Sequence, residues 1–259
     1  MDSMVSGRTA LVTGGGRGIG AAIAEQLAIA GAATVIIVAR SATELERTAA
    51  RVRASGAAAT TLAIDLAKPS GVDKVTAALE TDASIDILVS AAATVAPLGP
   101  TASLDAREVR RALELNVIAP ILLAGAFVGG MAARGFGRVV NVSSGIAEHP
   151  GSMVGGTVYA TSKSGLEAHT LNLAVELHGT GVTANVYRPG TVDTAMQEWI
   201  RAQDPDRIGR GLHDRFTGMH DSGRLITATR SAEGLMTHLL HDGDASGQIW
   251  DVADDLSAP

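Results

Sequence analysis

The 259-residue chain has no cysteine, which excludes a disulfide framework, a thiolate metal site and a cysteine nucleophile. Aromatic residues make up 3% of it, and only two of them are tyrosines. Lysine is almost as scarce, occurring at Lys68, Lys74 and Lys163 alone. A tyrosine or lysine in a motif therefore carries more weight here than any one of the abundant arginines. Positive charge is not in excess either. A formal net charge of −6 argues against a nucleic-acid or anionic-membrane surface. The longest uncharged apolar run, Val117 to Ala133, is broken by Pro120, Gly125, Gly129 and Gly130, and it is shorter than the ~20 residues a membrane span needs. The opening residues Met1 to Gly7 carry neither the basic nor the apolar region of a secretory signal, so the expected location is cytoplasmic. No metal site is expected.

What is present is ordinary globular material, 46% hydrophobic and 19% charged, enough for one domain spanning residues 1–259. Short apolar runs read as strands at Arg8 to Thr13, Thr34 to Ala39, Thr60 to Ile64, Ile85 to Ser90, Arg138 to Ser143 and Val182 to Tyr187. Between them, helical periodicity runs over Ile19 to Ala30, Thr43 to Ser55, Val72 to Thr81, Leu104 to Ala133 and Thr157 to His178. A helix near Ser231 to His241 and a strand near Gln248 to Val252 close the chain. Strands alternating with helices imply βαβ units and a parallel sheet. The expected fold is α/β, a Rossmann-like doubly wound sheet in three α/β/α layers. Asp193 to Thr227 breaks the rhythm with Asp-Pro, Gly-Arg-Gly and Asp-Ser-Gly turns, and reads as a mobile excursion over a substrate site.

Gly14-Gly15-Gly16-Arg17-Gly18-Ile19-Gly20 follows the first strand and opens a helix. A dinucleotide pyrophosphate needs a helix N-terminus whose backbone it can approach without a Cβ in the way. Further on, Tyr159 and Lys163 stand four residues apart on one helix face. A nearby ammonium would lower the phenol's pKa from about 10 towards a value useful near neutrality. Ser143 and Ser144 end the fifth strand, where parallel sheets bind ligands. A hydroxyl there can polarise a carbonyl, although a pair of turn-forming serines reads the same way. Asn116 lies inside a helical pattern that it fits poorly, which suits either a water relay or a kink.

Together, Thr-Gly-x-x-x-Gly-Ile-Gly over 13–20, Ser144 and the Tyr159/Lys163 pair resemble the short-chain dehydrogenase/reductase family, over essentially the whole chain. That resemblance implies a catalytic tetrad of Asn116, Ser144, Tyr159 and Lys163. Tyr159 would be the general acid/base, Lys163 would lower its pKa and hold the ribose, Ser144 would polarise the carbonyl and Asn116 would hold the relay water. Cofactor contacts would come from Gly14, Gly18, Ile19 and Gly20, from Asp65 and Leu66 at the adenine, and from Ala91 and Ala92. Ser90 and Ala93 depart from the family's Asn-Ala-Ala-Gly. In Pro189-Gly190-Thr191-Val192-Asp193-Thr194, the Val192 backbone and the Thr194 hydroxyl would hold the nicotinamide.

The second strand ends in Arg40 with no acid before Glu44. With Arg17, that favours the 2′-phosphate of NADP(H) over NAD(H). Ile146, His149, Met153 and Val154 are expected on one wall of the substrate pocket, with Met196, Trp199 and Phe216 on the lid. The expected activity is carbonyl/alcohol interconversion on a small molecule. One alternative is a 3-oxoacyl-thioester reductase using a basic docking patch of Arg107, Arg110, Arg111, Arg134 and Arg138. A non-enzymatic NADP(H)-binding regulator is another. The helix from Val117 to Ala133 is apolar nearly all round, which implies a homodimer or homotetramer.

Overall fold

The computed structural model describes residues 4–79, 84–241 and 244–253. Thr81, the expected end of the third helix, and the first three residues lie outside that set. Strands β1 (Thr9–Thr13), β2 (Thr34–Ala39), β3 (Ala58–Ala63), β4 (Ile87–Ser90), β5 (Gly137–Val142), β6 (Val182–Arg188) and β7 (Ile249–Asp251) form one parallel sheet in the order β3-β2-β1-β4-β5-β6-β7. The order reverses between β1 and β4, which is where such a sheet leaves a crevice at its carboxyl end.

The alternation of side chains along each strand divides the core in two. Ala10 and Val12 of β1 face one layer, packed against Ile23 and Leu27 of α1 (Gly18–Ile29), Leu45 of α2 (Ala42–Ala54) and Leu235 of α10 (Ala228–His241). Leu11 faces the other, with Val72 of α3 (Gly71–Leu79), Leu123 and Met131 of α5 (Ala119–Arg134) and Leu173 of α6 (Thr157–Glu176). Strands covered on both sides need apolar residues at every position, which is why the central ones read as continuous Val/Ile/Leu runs. β3 is the edge strand. Its Ala-Thr composition and half-exposed pattern give a weaker signal, and it starts at Ala58, two residues before the expected Thr60.

Two further expectations change. The long helix predicted from Leu104 begins at Ala106 as α4 (Ala106–Leu113), capped by the Asp105 carboxylate. It passes through a π turn, Glu114–Ile118, into α5. The continuous 29-residue helix is long and apolar enough, by length and composition, to cross a membrane, a length the uncharged run alone concealed. It lies along the sheet, with Ala119, Leu123 and Met131 in the core. The excursion after β6 is not irregular: α7 (Ala195–Arg201), α8 (Pro205–Ile208) and α9 (Arg210–Asp221) are helices. Ile200, Ile208 and Leu212 bury themselves in a third apolar cluster beside the sheet's carboxyl edge. Asp204 and Pro205, read as turn residues, are the N-cap and first residue of α8.

Candidate active site

The glycine turn closes tightly on its neighbours. Gly14 has φ +69°, and a Cβ there would stand 2.7 Å from the Ala92 nitrogen. At Gly20 a Cβ would meet the Gly14 carbonyl oxygen at 2.4 Å. Only glycine lets the strand-to-helix turn pack this closely. Arg17 leads into α1 with extended backbone and no side-chain cap, and α1 has no acid in its first turn. By contrast, the Ser41 hydroxyl caps α2, accepting the Glu44 N–H at 3.3 Å. The first N–H groups of α1 and its dipole are thus available to an anion. The Thr13 hydroxyl accepts the N–H groups of Ala91 and Ala92 at 3.1 and 3.2 Å, tying the end of β4 to the turn. The Ser90 hydroxyl is buried without a hydrogen-bond partner among the described residues.

On α6, Tyr159 and Lys163 share a face, with the Lys163 Nζ 5.8 Å from the tyrosine ring centre. The ammonium donates to the Val142 carbonyl at 2.7 Å. Burial lowers Lys163 to about 8, opposed by the carboxylate of Glu167 one turn further along. Burial also raises the Tyr159 phenol above its ordinary value, opposed by a hydrogen bond with Ser144. Desolvation of the phenolate, not the Lys163 ammonium, sets the direction, so the expected lowering is not seen. Ser144 begins a short turn whose Ile146 N–H its hydroxyl accepts at 3.4 Å.

Asn116 sits in the π turn, buried, with its amide fully engaged. Its Oδ1 accepts the Thr94 N–H at 2.8 Å, while Nδ2 donates to the Thr94 carbonyl at 2.8 Å and to the Ser162 hydroxyl at 3.0 Å. The side chain is a brace between α6 and the segment after β4.

The remaining cofactor candidates converge on the same edge. A Cβ on Gly18 would stand 3.4 Å from the Thr194 Cγ2, so the glycine turn and the segment after β6 face each other. The Thr191 carbonyl and the Asp193 N–H pair with Ile226. In extended chain that directs the N–H and C=O of Val192 the other way. Pro189 is fixed by the Ser231 hydroxyl on its carbonyl at 2.9 Å. Gly190 takes φ +76° against Val252. Arg40 is exposed at the end of β2, while Leu66 is buried. Asp65 is already held: Oδ1 accepts the Ala67 N–H at 3.1 Å, and Oδ2 accepts Arg111 at 3.0 Å. Arg17 pairs with Glu44 at 3.4 Å, an exposed contact that spacing alone did not reveal.

Tyr159 packs against the third apolar cluster. Ile146 and Met153 are buried in that cluster, and Met196 and Phe216 lean on it. Val154 is 82% exposed and Trp199 39%, and neither joins the cluster. His149 is also exposed, 4.0 Å from Glu148. The arginines proposed for docking separate. Arg107 and Arg110 are exposed on α4, and Arg111 is paired with Asp65. Arg134 donates to the Ile85 carbonyl at 2.6 Å. Arg138 is buried at the opposite end of the sheet, beside Phe136 and Asp244, so it cannot belong to a docking patch. Among the described residues no group of three or more metal-ligating side chains occurs.

The short chain dehydrogenase family model matches residues 8–205. The chain belongs to the short chain dehydrogenase family. Membership makes it an NAD(P)-dependent oxidoreductase. A short chain dehydrogenase of Pseudocercospora fijiensis is 36% identical over 74% of this chain, and the match covers 62% of that protein, under two thirds of its length. A 3-oxoacyl (acyl-carrier-protein) reductase of Agrobacterium tumefaciens, solved with NADP bound, is 31% identical with a TM-score of 0.81. That match covers 95% of this chain and 93% of the reductase. A protein of Beutenbergia cavernae solved with bound NADP is 30% identical. Its TM-score is 0.83, and the match covers 96% of each chain.

Proposed function

We propose that the chain interconverts a small carbonyl compound and its secondary alcohol with NADP(H), using Tyr159 as general acid in reduction and general base in oxidation. The observation that carries this reading is Tyr159, packed against the cluster of Ile146, Met153, Met196 and Phe216, with the Lys163 Nζ 5.8 Å from its ring centre and the Ser144 hydroxyl acting on its phenol. NADP(H) supplies or takes the hydride when bound. A phenol kept protonated by burial is the right form to give a proton to a carbonyl oxygen as that oxygen gains charge. Ser144 polarises the same oxygen. Lys163, anchored on the Val142 carbonyl, stands close enough to Tyr159 to stabilise the phenolate that remains.

Gly14, Gly18, Ile19 and Gly20 would hold the pyrophosphate, and Ala91, Ala92 and Leu66 would border the adenosine. Pro189, Gly190, Val192 and Thr194 would border the nicotinamide. Arg40 and Arg17 would take the 2′-phosphate. The Glu44 contact with Arg17 does not outweigh this, since an exposed ion pair contributes little and a phosphate is the stronger guanidinium partner. A second copy of the chain is the proposed partner, bound through α5 and α6.

The thioester-reductase reading keeps one observation in its favour. A cavity of about 420 Å³ beside the start of α6 is lined by Leu104, Val109, Arg110, Thr157 and Val158, with Arg107 exposed nearby. NADPH oxidation against diketones, simple ketones and 3-oxoacyl thioesters separates the two readings. Tyr159→Phe should lose about 10²–10⁴-fold in turnover with cofactor binding kept, and wild-type turnover in that variant would overturn the role. Arg40→Ala should raise the KM for NADPH and leave that for NADH in place. Cofactor binding with no turnover of any carbonyl would favour the regulator.

A further inference from the structure

Arg188, the last residue of β6, is almost completely buried and spends every guanidinium nitrogen on carboxylates. Nε and Nη2 donate to the two oxygens of Glu167, each at 3.0 Å. Nη1 donates to Glu148 Oε2 at 2.5 Å. The two acids are placed with regular spacing. Glu167 comes four residues after Lys163 on α6, so it lies one helical turn along the same face. Glu148 comes four residues after Ser144, at the end of the short turn that Ser144 begins. Pro189 and Gly190, which border the nicotinamide in the reading above, follow Arg188 directly. One side chain thus joins the three segments that carry the Ser144 hydroxyl, the Tyr159/Lys163 pair and the nicotinamide loop.

We propose that Arg188 is a positioning residue that clamps the Ser144 turn onto α6, so that Ser144 and Tyr159 address one substrate oxygen. The proposal rests on the carbonyl-reductase reading. Its chemistry is that of the guanidinium fork. A bidentate grip on the nearly buried Glu167 fixes the direction of the third nitrogen, and that nitrogen holds Glu148. Glu148 is half-exposed, with a side chain 53% accessible, and its other oxygen is 4.0 Å from His149. Without the arginine the turn would be held to α6 by the apolar packing of Ile146 against Ala160 and Tyr159, with no polar tie at its end. A carbonyl oxygen that must accept from two hydroxyls is sensitive to small displacements of either one. The clamp acts through Ser144 and touches neither cofactor nor substrate.

The mild variant is Glu148→Ala, because it leaves the buried Arg188–Glu167 pair intact. We expect its kcat/KM for the carbonyl to fall about ten- to hundredfold, through both kcat and KM. NADPH affinity should stay within about twofold. Glu148→Gln, which keeps an oxygen able to accept from Arg188, should fall between Ala and wild type. Arg188→Lys should move in the same direction as Glu148→Ala, because an ammonium cannot grip two carboxylates in a fixed fork. Amide hydrogen exchange reads the clamp without turnover. Exchange over Gly145 to Glu148 should quicken in Glu148→Ala while Ala160 to Leu173 stays as in wild type. Unchanged exchange in the turn would overturn the proposal whatever the activity, and so would wild-type kcat and KM in Glu148→Ala. Quickened exchange in a protein that reduces no carbonyl would instead keep the clamp and sink the reading it rests on.

Discussion

Lys163 is a cation held where solvent barely reaches it, 3% exposed, and its surroundings determine what that costs. Its ordinary value is 10.5 and burial lowers it to about 8. Below pH 8 the folded protein therefore carries a buried ammonium that the unfolded chain would keep solvated, at a cost of up to about 3 kcal/mol. Between about 8 and 10.5 the unfolded chain binds more protons than the folded one. In that window this group makes stability rise with pH. Lys163→Met removes the term, and with it the bond to Val142, whose loss is the same at every pH. The melting temperature of Lys163→Met relative to wild type should thus be highest at pH 7 and fall back as the pH approaches 10. A difference that stays constant from pH 7 to 10 would mean that burial does not lower the lysine's pKa. The same variant should lose most of its turnover, which explains why a residue that weakens the fold stands there.

At the scale of elements, the π turn between α4 and α5 is the feature with the clearest role. It turns Asn116 inward, where the amide braces the Thr94 segment and α6 together. Asn116→Ala would leave the N–H and C=O of Thr94 without these partners. It should destabilise the protein by about 1–3 kcal/mol in denaturant titration and weaken turnover by loosening α6 beneath Tyr159. A variant as stable as wild type would show that water replaces the brace. The sequence signalled an anomaly at this position, since asparagine is a poor mid-helix residue, but not its form. Composition does not distinguish a kink from an extra residue in a turn.

The strands and helices of the sheet were legible because strict periodicity and continuous apolar runs leave few other ways to bury them. The Tyr159/Lys163 pair was legible because both residue types are rare in this chain. The helices of residues 195–221 were not, because Pro205 and Gly209 read as breaks when they serve as the first residue of α8 and its C-cap. Arg188 was hidden among many arginines. Only the fold reveals that Glu148 and Glu167, nineteen residues apart in sequence, meet on it.

At the scale of the whole molecule, the question is what covers the outer face of α5 and the adjoining α6. A helix lying on a sheet needs one apolar stripe, and α5 has a second one facing out. Ile118 is 41% exposed, Ile121 37% and Leu122 47%. Ile118, Leu122, Gly125 and Gly129 follow one another at intervals of four, three and four residues, which sets them along one line of the helix. A Cβ on either glycine would meet nothing within 4 Å, so the groove beside the two large side chains is open and shallow enough for close approach. On the neighbouring α6, Val175 is 76% exposed. A stripe of this kind can pair with its own copy about a two-fold axis, where the large residues of one helix lie beside the glycines of the other. Leu122→Glu places a charge at the centre of that contact and touches nothing in the core or the active site. Sedimentation should find wild type as a dimer or a larger even assembly and Leu122→Glu shifted towards monomer, with far-UV dichroism unchanged. A wild-type protein that sediments as a monomer at micromolar concentration would rule out this face as the subunit contact. If the shift occurs and turnover falls with it, the assembly supports the site, because α4 and the π turn that position Asn116 continue directly into the helix that the contact covers.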